Sequence, residues 1–157
     1  IIDKIKTTDI PCGYTAICED ATNTKFNISP QTSFILAGIG GHLAVKILNN
    51  LYAQRVNGME IVFCIHSHVE EVYQWLEGKE FEGMDFSFVE ENQKFYEIYK
   101  LKLKSENEFK AKEFFIKNSG KVHQEYLKER LSYFELKSRF DSSFLPWLDF
   151  YRARLTP

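Results

Sequence analysis

Ser33-Phe-Ile-Leu-Ala-Gly-Ile-Gly-Gly-His-Leu-Ala-Val-Lys-Ile-Leu48 is the stretch on which the fold turns. Residues Ser33 to Ala37 form an unbroken apolar run, the pattern of a strand buried on both faces. The run stops at Gly38-Ile39-Gly40-Gly41. A helix is expected next, with Leu43, Ile47, Leu48 and Leu51 at helical spacing and an end near Asn57-Gly58. Strand, glycine turn and helix in this order make the opening of a βαβ unit.

The flanking sequence extends the pattern in both directions. Met59 to Ile65 is a second buried strand. Val69 to Glu77 follows as a helix with Val72, Trp75 and Leu76 on one face, closed by Gly78. Phe81–Glu90 and Phe95–Leu103 read as extended segments joined by the short Glu91-Asn92-Gln93-Lys94, which predicts an antiparallel hairpin. Upstream, Gly13–Cys18 is a short β-branched strand ending at Glu19-Asp20. Lys121–Phe140 and Trp147–Leu155 are predicted helices, with a break at Ser142-Ser143 and Pro146. The fold class is therefore α/β, with parallel strands, short helices, a terminal antiparallel hairpin and a C-terminal helical extension. The expected division is an α/β domain over residues 1–104 and a basic helical extension over 105–157.

Composition narrows the classes. With 157 residues, 27% charged and 44% hydrophobic, the chain is an ordinary globular one and neither a disordered tail nor a fibre. No apolar run approaches the roughly 20 residues of a membrane span, so no membrane partner is expected. Cys12, Cys18 and Cys64 make no CxxC pair and no disulfide framework, and a reducing, cytoplasmic setting is expected. Cys18 and Cys64 read as small core residues within strands. The net charge of −2 hides an asymmetry. Residues 1–93 hold six Lys/Arg against thirteen Asp/Glu, and residues 94–157 hold fourteen against nine. A basic half of this kind either meets a polyanion or is simply solvated.

Two nucleotide motifs are tested directly by the glycine turn. A dinucleotide GxGxxG needs Gly or Ala at position 43, where the chain has Leu43, and no GxxxxGK[ST] exists. In open α/β sheets ligands bind at the carboxyl ends of the strands, which is where Ala37, Gly38, Ile39, Gly40 and Gly41 lie. A turn of this kind either cradles a ligand or lets a helix pack tightly on its strand.

The segment Phe34–Leu48 resembles the strand, Ala/Ser-Gly-Met/Val-Gly-Gly and helix of the bacterial tRNA adenine-N1 methyltransferases, the TrmK family. Phe88-Val-Glu-Glu-Asn-Gln-Lys-Phe-Tyr-Glu-Ile98 is similar to that family's acidic turn followed by Lys/Arg-Phe-Tyr-Glu. Ile61–His68 and Val72–Leu76 match the intervening strand, polar turn and helix in layout, so the resemblance spans roughly residues 14–103. It implies a Rossmann-like methyltransferase that uses S-adenosylmethionine and methylates N1 of adenine 22 in tRNA. It also implies that Asp20 and Ala21 meet the cofactor's adenine end, and that Ala37 to Gly41 line the methyl-donor end. Catalytic candidates cluster near Gly38, Ile39, Gly40 and Tyr96, the last as a stacking partner for a flipped base or as hairpin packing.

Tyr96 apart, other residues carry open alternatives. His66 and His68 stand where the family commonly has Gln-Pro-Asn, either to hydrogen-bond the target or as exposed turn residues. His42 opens a helix and faces an anion or solvent. No metal is expected. Lys100, Lys102 and Lys104 alternate along a strand, and Lys121, Lys128, Arg130, Lys137 and Arg139 continue the basic run, giving candidate contacts to tRNA. The family's Asp-Ile-Gly-Ser-Asp-His-Ala opening motif has no counterpart, and Asp3 is the one candidate for a ribose contact. The family strand order 3-2-1-4-5-7-6 would leave the strands at 13–18 and 33–37 without the two between them. The expectation is thus a chain lacking N-terminal strands of the sheet. Two rival functions fit the same sequence: a non-catalytic RNA-binding relative and a plain α/β ligand-binding or interaction domain.

Overall fold

The computed structural model describes residues 18–156. The expected strand at 13–18 lies outside the described residues apart from Cys18, which is exposed and belongs to no strand. Asp3 and Cys12 also lie outside them.

The elements run β1 (Ser33–Gly40), α1 (Gly41–Ala53), β2 (Glu60–Ser67), α2 (Val69–Leu76), β3 (Phe81–Glu91), β4 (Lys94–Leu103), α3 (Ala111–Lys117), α4 (Gln124–Ser138) and α5 (Leu145–Leu155). Single turns of 3₁₀ helix precede α4 and α5. The four strands are ordered β1-β2-β4-β3. β1 and β2 are parallel across the α1 crossover, whereas β4 is antiparallel to both β2 and β3. The hairpin expected from sequence thus caps one side of a parallel pair. Its turn is tighter than expected: Asn92 (φ 50°) and Gln93 (φ 61°) both take positive φ, and Glu91 pairs with Lys94. That is the geometry whose twist matches two antiparallel strands.

One face of the sheet holds the core. Leu36, Ile61, Phe63, Ile65, Tyr99, Leu101 and Leu103 point into it and meet Ala44, Ile47, Leu48 and Leu51 of α1 and Val72, Tyr73 and Leu76 of α2. Leu43 was expected on this face of α1, but it is 45% exposed, because Gly41, Ala44, Ile47, Leu48 and Leu51 are the positions turned to the sheet. The same core continues through Phe115 of α3, Leu127 and Phe134 of α4, and Leu148, Phe150 and Tyr151 of α5. On the opposite face Ile35 is 73% exposed, and among the described residues β1 pairs along one edge only.

The alternation of β4 corrects a sequence expectation. Tyr96 and Ile98 were grouped with Leu101 and Leu103, yet strand period two puts them on opposite faces. Glu97, Tyr99, Leu101 and Leu103 face the core, and Tyr96, Ile98, Lys100 and Lys102 face away. A bulge between Gly83 and Asp85 on β3 keeps Phe81 and Phe86 on the same side.

Two ion pairs, one fully and one partly buried, fasten the last helices to the rest. Arg154 of α5, with no exposed surface, donates from Nη1 to Glu97 Oε1 at 2.8 Å, and the Tyr73 hydroxyl donates to the other carboxylate oxygen. Arg130 of α4 pairs with Glu70 of α2, whose Oε1 also accepts from the Tyr151 hydroxyl at 2.7 Å. Each carboxylate thereby gains a cation and a phenol, the compensation a buried charge requires.

Candidate active site

The site begins with how β1 ends. The strand runs on through Gly40, but its register against β2 shifts between Ala37 and Ile39 and again between Ile39 and Gly40. Gly38 is the residue left over, with φ +75°, a left-handed conformation that glycine adopts without steric cost. No heavy atom lies within 4 Å of where its Cβ would be, so backbone conformation rather than crowding selects glycine here. Gly41 is glycine for the other reason. A Cβ there would sit 2.0 Å from the carbonyl oxygen of His68. The turn therefore both re-aims the chain at the end of β1 and allows α1 to close against the loop after β2.

Three strands bring their carboxyl-side or neighbouring residues together at this edge. Gly40 is in register with Ser67, and Ile39 with Ile65. His66, exposed at the end of β2, lies with its ring 5.1 Å from that of Tyr96 on β4. His68 holds φ 52° as the residue before α2, and its ring lies 4.6 Å from that of His42. His42 Nδ1 is 2.6 Å from Glu71 Oε2. The structure thus gathers Ala37, Gly38, Ile39, Gly40, Gly41, His66, His68 and Tyr96 at one end of the sheet. Open space beside Gly38 and a polar, aromatic rim suit a ligand that approaches backbone closely. Cys64, half-buried on β2, has its thiol pushed up by burial. Among the described residues, no three His, Cys, Asp or Glu side chains stand together as a metal-ligand set.

Asp20 and Ala21 are placed elsewhere. The Asp20 carboxylate accepts from Thr22 N (2.9 Å), Thr22 Oγ1 (2.8 Å) and Asn23 Nδ2 (3.3 Å), and these bonds hold it below the usual carboxylate range. The loop is stitched to α1: Asn50 Nδ2 donates to Ala21 O at 3.0 Å and to Thr24 O at 2.8 Å, and Gln54 Oε1 accepts from Phe26 N at 2.9 Å. Asn50 is about 14 Å along the helix from Gly41. The described conformation therefore separates Asp20 and Ala21 from the glycine turn.

The basic residues divide into two groups. Lys100 Nζ is 2.7 Å from Glu60 Oε2, Lys104 is 3.2 Å from Glu82, Lys121 donates to Phe86 O at 3.0 Å near Asp85, and Arg130 is held by Glu70. Lys102 stands opposite both Glu60 and Glu82 in the ladder, a cross-strand arrangement that supports the sheet. Lys128, Lys137 and Arg139 are exposed and form no ion pair among the described residues. Sequence reasoning missed Glu97 and Arg154 as buried partners, since 57 residues separate them.

Comparison with known proteins agrees with this geometry. No curated protein sequence matches the chain. Among solved structures, S. pneumoniae Sp1610 in complex with S-adenosyl-L-methionine superposes with a TM-score of 0.61 at 18% identity, over 82% of this chain and 63% of the other. The B. subtilis M1A22 tRNA methyltransferase TrmK gives 0.60 at 16% identity, over 78% and 62%. M. capricolum TrmK, solved with S-adenosyl-homocysteine, gives 0.53 at 17% identity, over 83% and 61%. The chain thus spans about three fifths of the length of these structures. The sequence profile described as "Methyltransferase domain" matches residues 12–99, more than half of the chain. The strand order, the bulged glycine turn and this match converge: the chain belongs to the methyltransferase domain family.

Proposed function

We propose that the protein transfers a methyl group from S-adenosylmethionine to N1 of an adenine in tRNA, in the cytoplasm. The observation that carries the reading is the bulged turn at the carboxyl end of β1, where Gly38 leaves its backbone open at the end of the sheet that also carries the His66–Tyr96 pair. The likeness in fold to two structures described as tRNA m1A22 methyltransferases, one of them holding S-adenosyl-L-methionine, and to a TrmK holding S-adenosyl-homocysteine, supports the choice of cofactor and substrate.

When bound, S-adenosylmethionine supplies an electrophilic methyl group on a sulfonium. The task of the chain's own residues is alignment and exclusion of water, because adenine N1 is a weak nucleophile at neutral pH. Ala37 to Gly41 are assigned to the methyl-donor end. Backbone carbonyls around Gly38–Gly40 are the acceptors proposed for the exocyclic amino group of the adenine, which raises electron density at N1. Tyr96 offers a ring against which the base stacks, beside His66. Asp20 and Ala21, held against α1 by Asn50 about 14 Å along the helix from Gly41, are assigned to the adenine end of the cofactor, away from its methyl-donor end. Of the basic residues expected from sequence to meet tRNA, Lys128, Lys137 and Arg139 in the extension are exposed and carry no ion pair among the described residues, and they are assigned to phosphate.

Calorimetric titration of S-adenosylhomocysteine, followed by methyl transfer to unmodified tRNA, tests the reading. N1 methylation blocks Watson–Crick pairing, so a primer-extension stop at one adenine is the expected product signature. Cofactor binding without transfer would favour the non-catalytic RNA-binding relative, and neither binding nor transfer would overturn the proposal.

A further inference from the structure

A cleft of about 320 Å³ lies between α2 and the last two helices, with His66 but not Tyr96 in its lining. Its floor is the His66–His68 turn, and Ser67 in that floor is the register partner of Gly40. Anything held at the glycine turn is therefore one strand away from this cleft. Gln74 of α2 forms one wall. Tyr133 of α4 and Phe144 and Trp147 at the start of α5 form the other.

Charge decides what such a cleft accepts. The cation in its lining, Arg130, is already held by Glu70 and stacks 5.0 Å over Tyr133. Glu71, also in the lining, pairs with His42. With both carboxylates present and the guanidinium paired, a phosphate gains little there. Aromatic surface, an exposed amide at Gln74 and imidazole donors and acceptors instead suit a flat, neutral heterocycle with hydrogen-bonding edges. The volume is close to that of one nucleoside and lies at the small end of ligand pockets.

We infer that this cleft holds a second, unstacked base of the RNA, stacked on the Trp147 and Tyr133 side and read on its edge by Gln74. The inference rests on the tRNA reading above and deepens it: one base goes to the glycine turn for chemistry, and a neighbouring one is gripped between α2 and α5. Specificity for the substrate's local shape then resides partly in the helical extension, through aromatic contact rather than through its lysines.

Ultraviolet cross-linking of unmodified tRNA to the full chain, with mass mapping of the linked peptides, tests this together with steady-state kinetics. The expected result is a cross-link on the peptides bearing Tyr133 or Trp147. Trp147→Leu and Gln74→Ala are each expected to raise KM for tRNA about tenfold, as loss of a base contact does, with S-adenosylhomocysteine affinity within about twofold. Trp147 also packs against Phe150, whereas Gln74 is exposed and its truncation leaves the fold intact. If tRNA is methylated but links only elsewhere, and Gln74→Ala leaves KM unchanged, the second-base site is overturned and the methyltransferase reading stands. If S-adenosylhomocysteine binds but tRNA is neither bound nor methylated, the RNA reading itself has failed and takes the inference with it.

Discussion

Gly38 and Gly41 are three residues apart and are glycine for different reasons, which separates their variants. Gly38 sits in the left-handed region with open space around it, so Gly38→Ala meets only backbone strain of about 1–2 kcal/mol. Asn tolerates that conformation better, and Gly38→Asn is expected to lose less stability than Gly38→Ala. Gly41→Ala puts a methyl 2.0 Å from the His68 carbonyl oxygen, a backbone atom that gives way only if the turn moves. Overpacking of this kind costs about 1–3 kcal/mol. Urea midpoints at constant slope should fall in the order Gly38→Asn, Gly38→Ala, Gly41→Ala, and a Gly41→Ala variant as stable as the parent chain would refute the close approach. Glu97 is the second informative residue. Its carboxylate lies 4% exposed between Arg154 and Tyr73, so Glu97→Gln leaves a buried guanidinium without its counter-charge. A loss of about 3–5 kcal/mol is expected. Most of it should return in the double variant Glu97→Gln, Arg154→Met, and simple additivity in that cycle would show that the two side chains do not act as a pair.

At the scale of elements, the sequence was readable where periodicity is long and uninterrupted. The α/β order, β1, β2, the hairpin and α2 all followed from apolar runs and glycine punctuation. α3 did not, because its seven residues bury only Ala111 and Phe115, one i, i+4 pair that no pattern count distinguishes from a loop. The expected helix from Lys121 proved to start at Gln124, because Ser119–Lys121 form a separate 3₁₀ turn and Val122 is extended. β4 was misread because a charged residue occupies a core position. Glu97 breaks the apolar alternation, and the Arg154 that compensates it lies in another element, beyond any local signal. The glycine turn itself was legible as a candidate site, whereas the cleft between Gln74 and Trp147 joins residues far apart in the chain and needed the fold. The same distance effect sorts the lysines. Lys100 is bound to Glu60 across the sheet, but Lys128, Lys137 and Arg139 are exposed on α4 and at its end with no ion pair among the described residues, Lys137 lying 5.6 Å over the Tyr133 ring. Replacing each of the latter three by Gln should weaken tRNA binding and lower the slope of log affinity against log salt by about one per residue removed, while Lys100→Gln leaves that slope unchanged. Equal slopes for all four would mean that α4 does not face the RNA.

Across the described residues, the core is one body in which the sheet, α1 and α2 share aromatic residues with the helical extension. Tyr151 of α5 stacks at 5.4 Å on Phe134 of α4, and Tyr73 of α2 lies 3.9 Å from Phe115 of α3 and 6.1 Å from Tyr99 of β4. These three tyrosines are at most 1% exposed. Burial pushes all three phenols well above their usual value of 10.0; Glu97 pushes all three in the same direction, and Glu70 does so for Tyr99 and Tyr151. The consequence for stability has a definite sign. Below pH 10 the phenols are protonated in both states and cost nothing. As pH rises past 10 the unfolded chain releases these protons while the folded one retains them, so the unfolded state binds fewer protons and unfolding becomes progressively easier. Melting temperature should therefore be level on the approach to pH 10 and fall steeply above it, and tyrosinate absorbance should appear together with loss of the fold rather than before it. Tyr151→Phe removes one titrating group but also the hydroxyl that donates to Glu70, so it should lower stability at neutral pH and make the alkaline fall shallower. If instead the phenols titrate near their usual value in a chain that is still folded, the extension is not packed against the sheet, and the continuous core joining α5 to β4 is wrong.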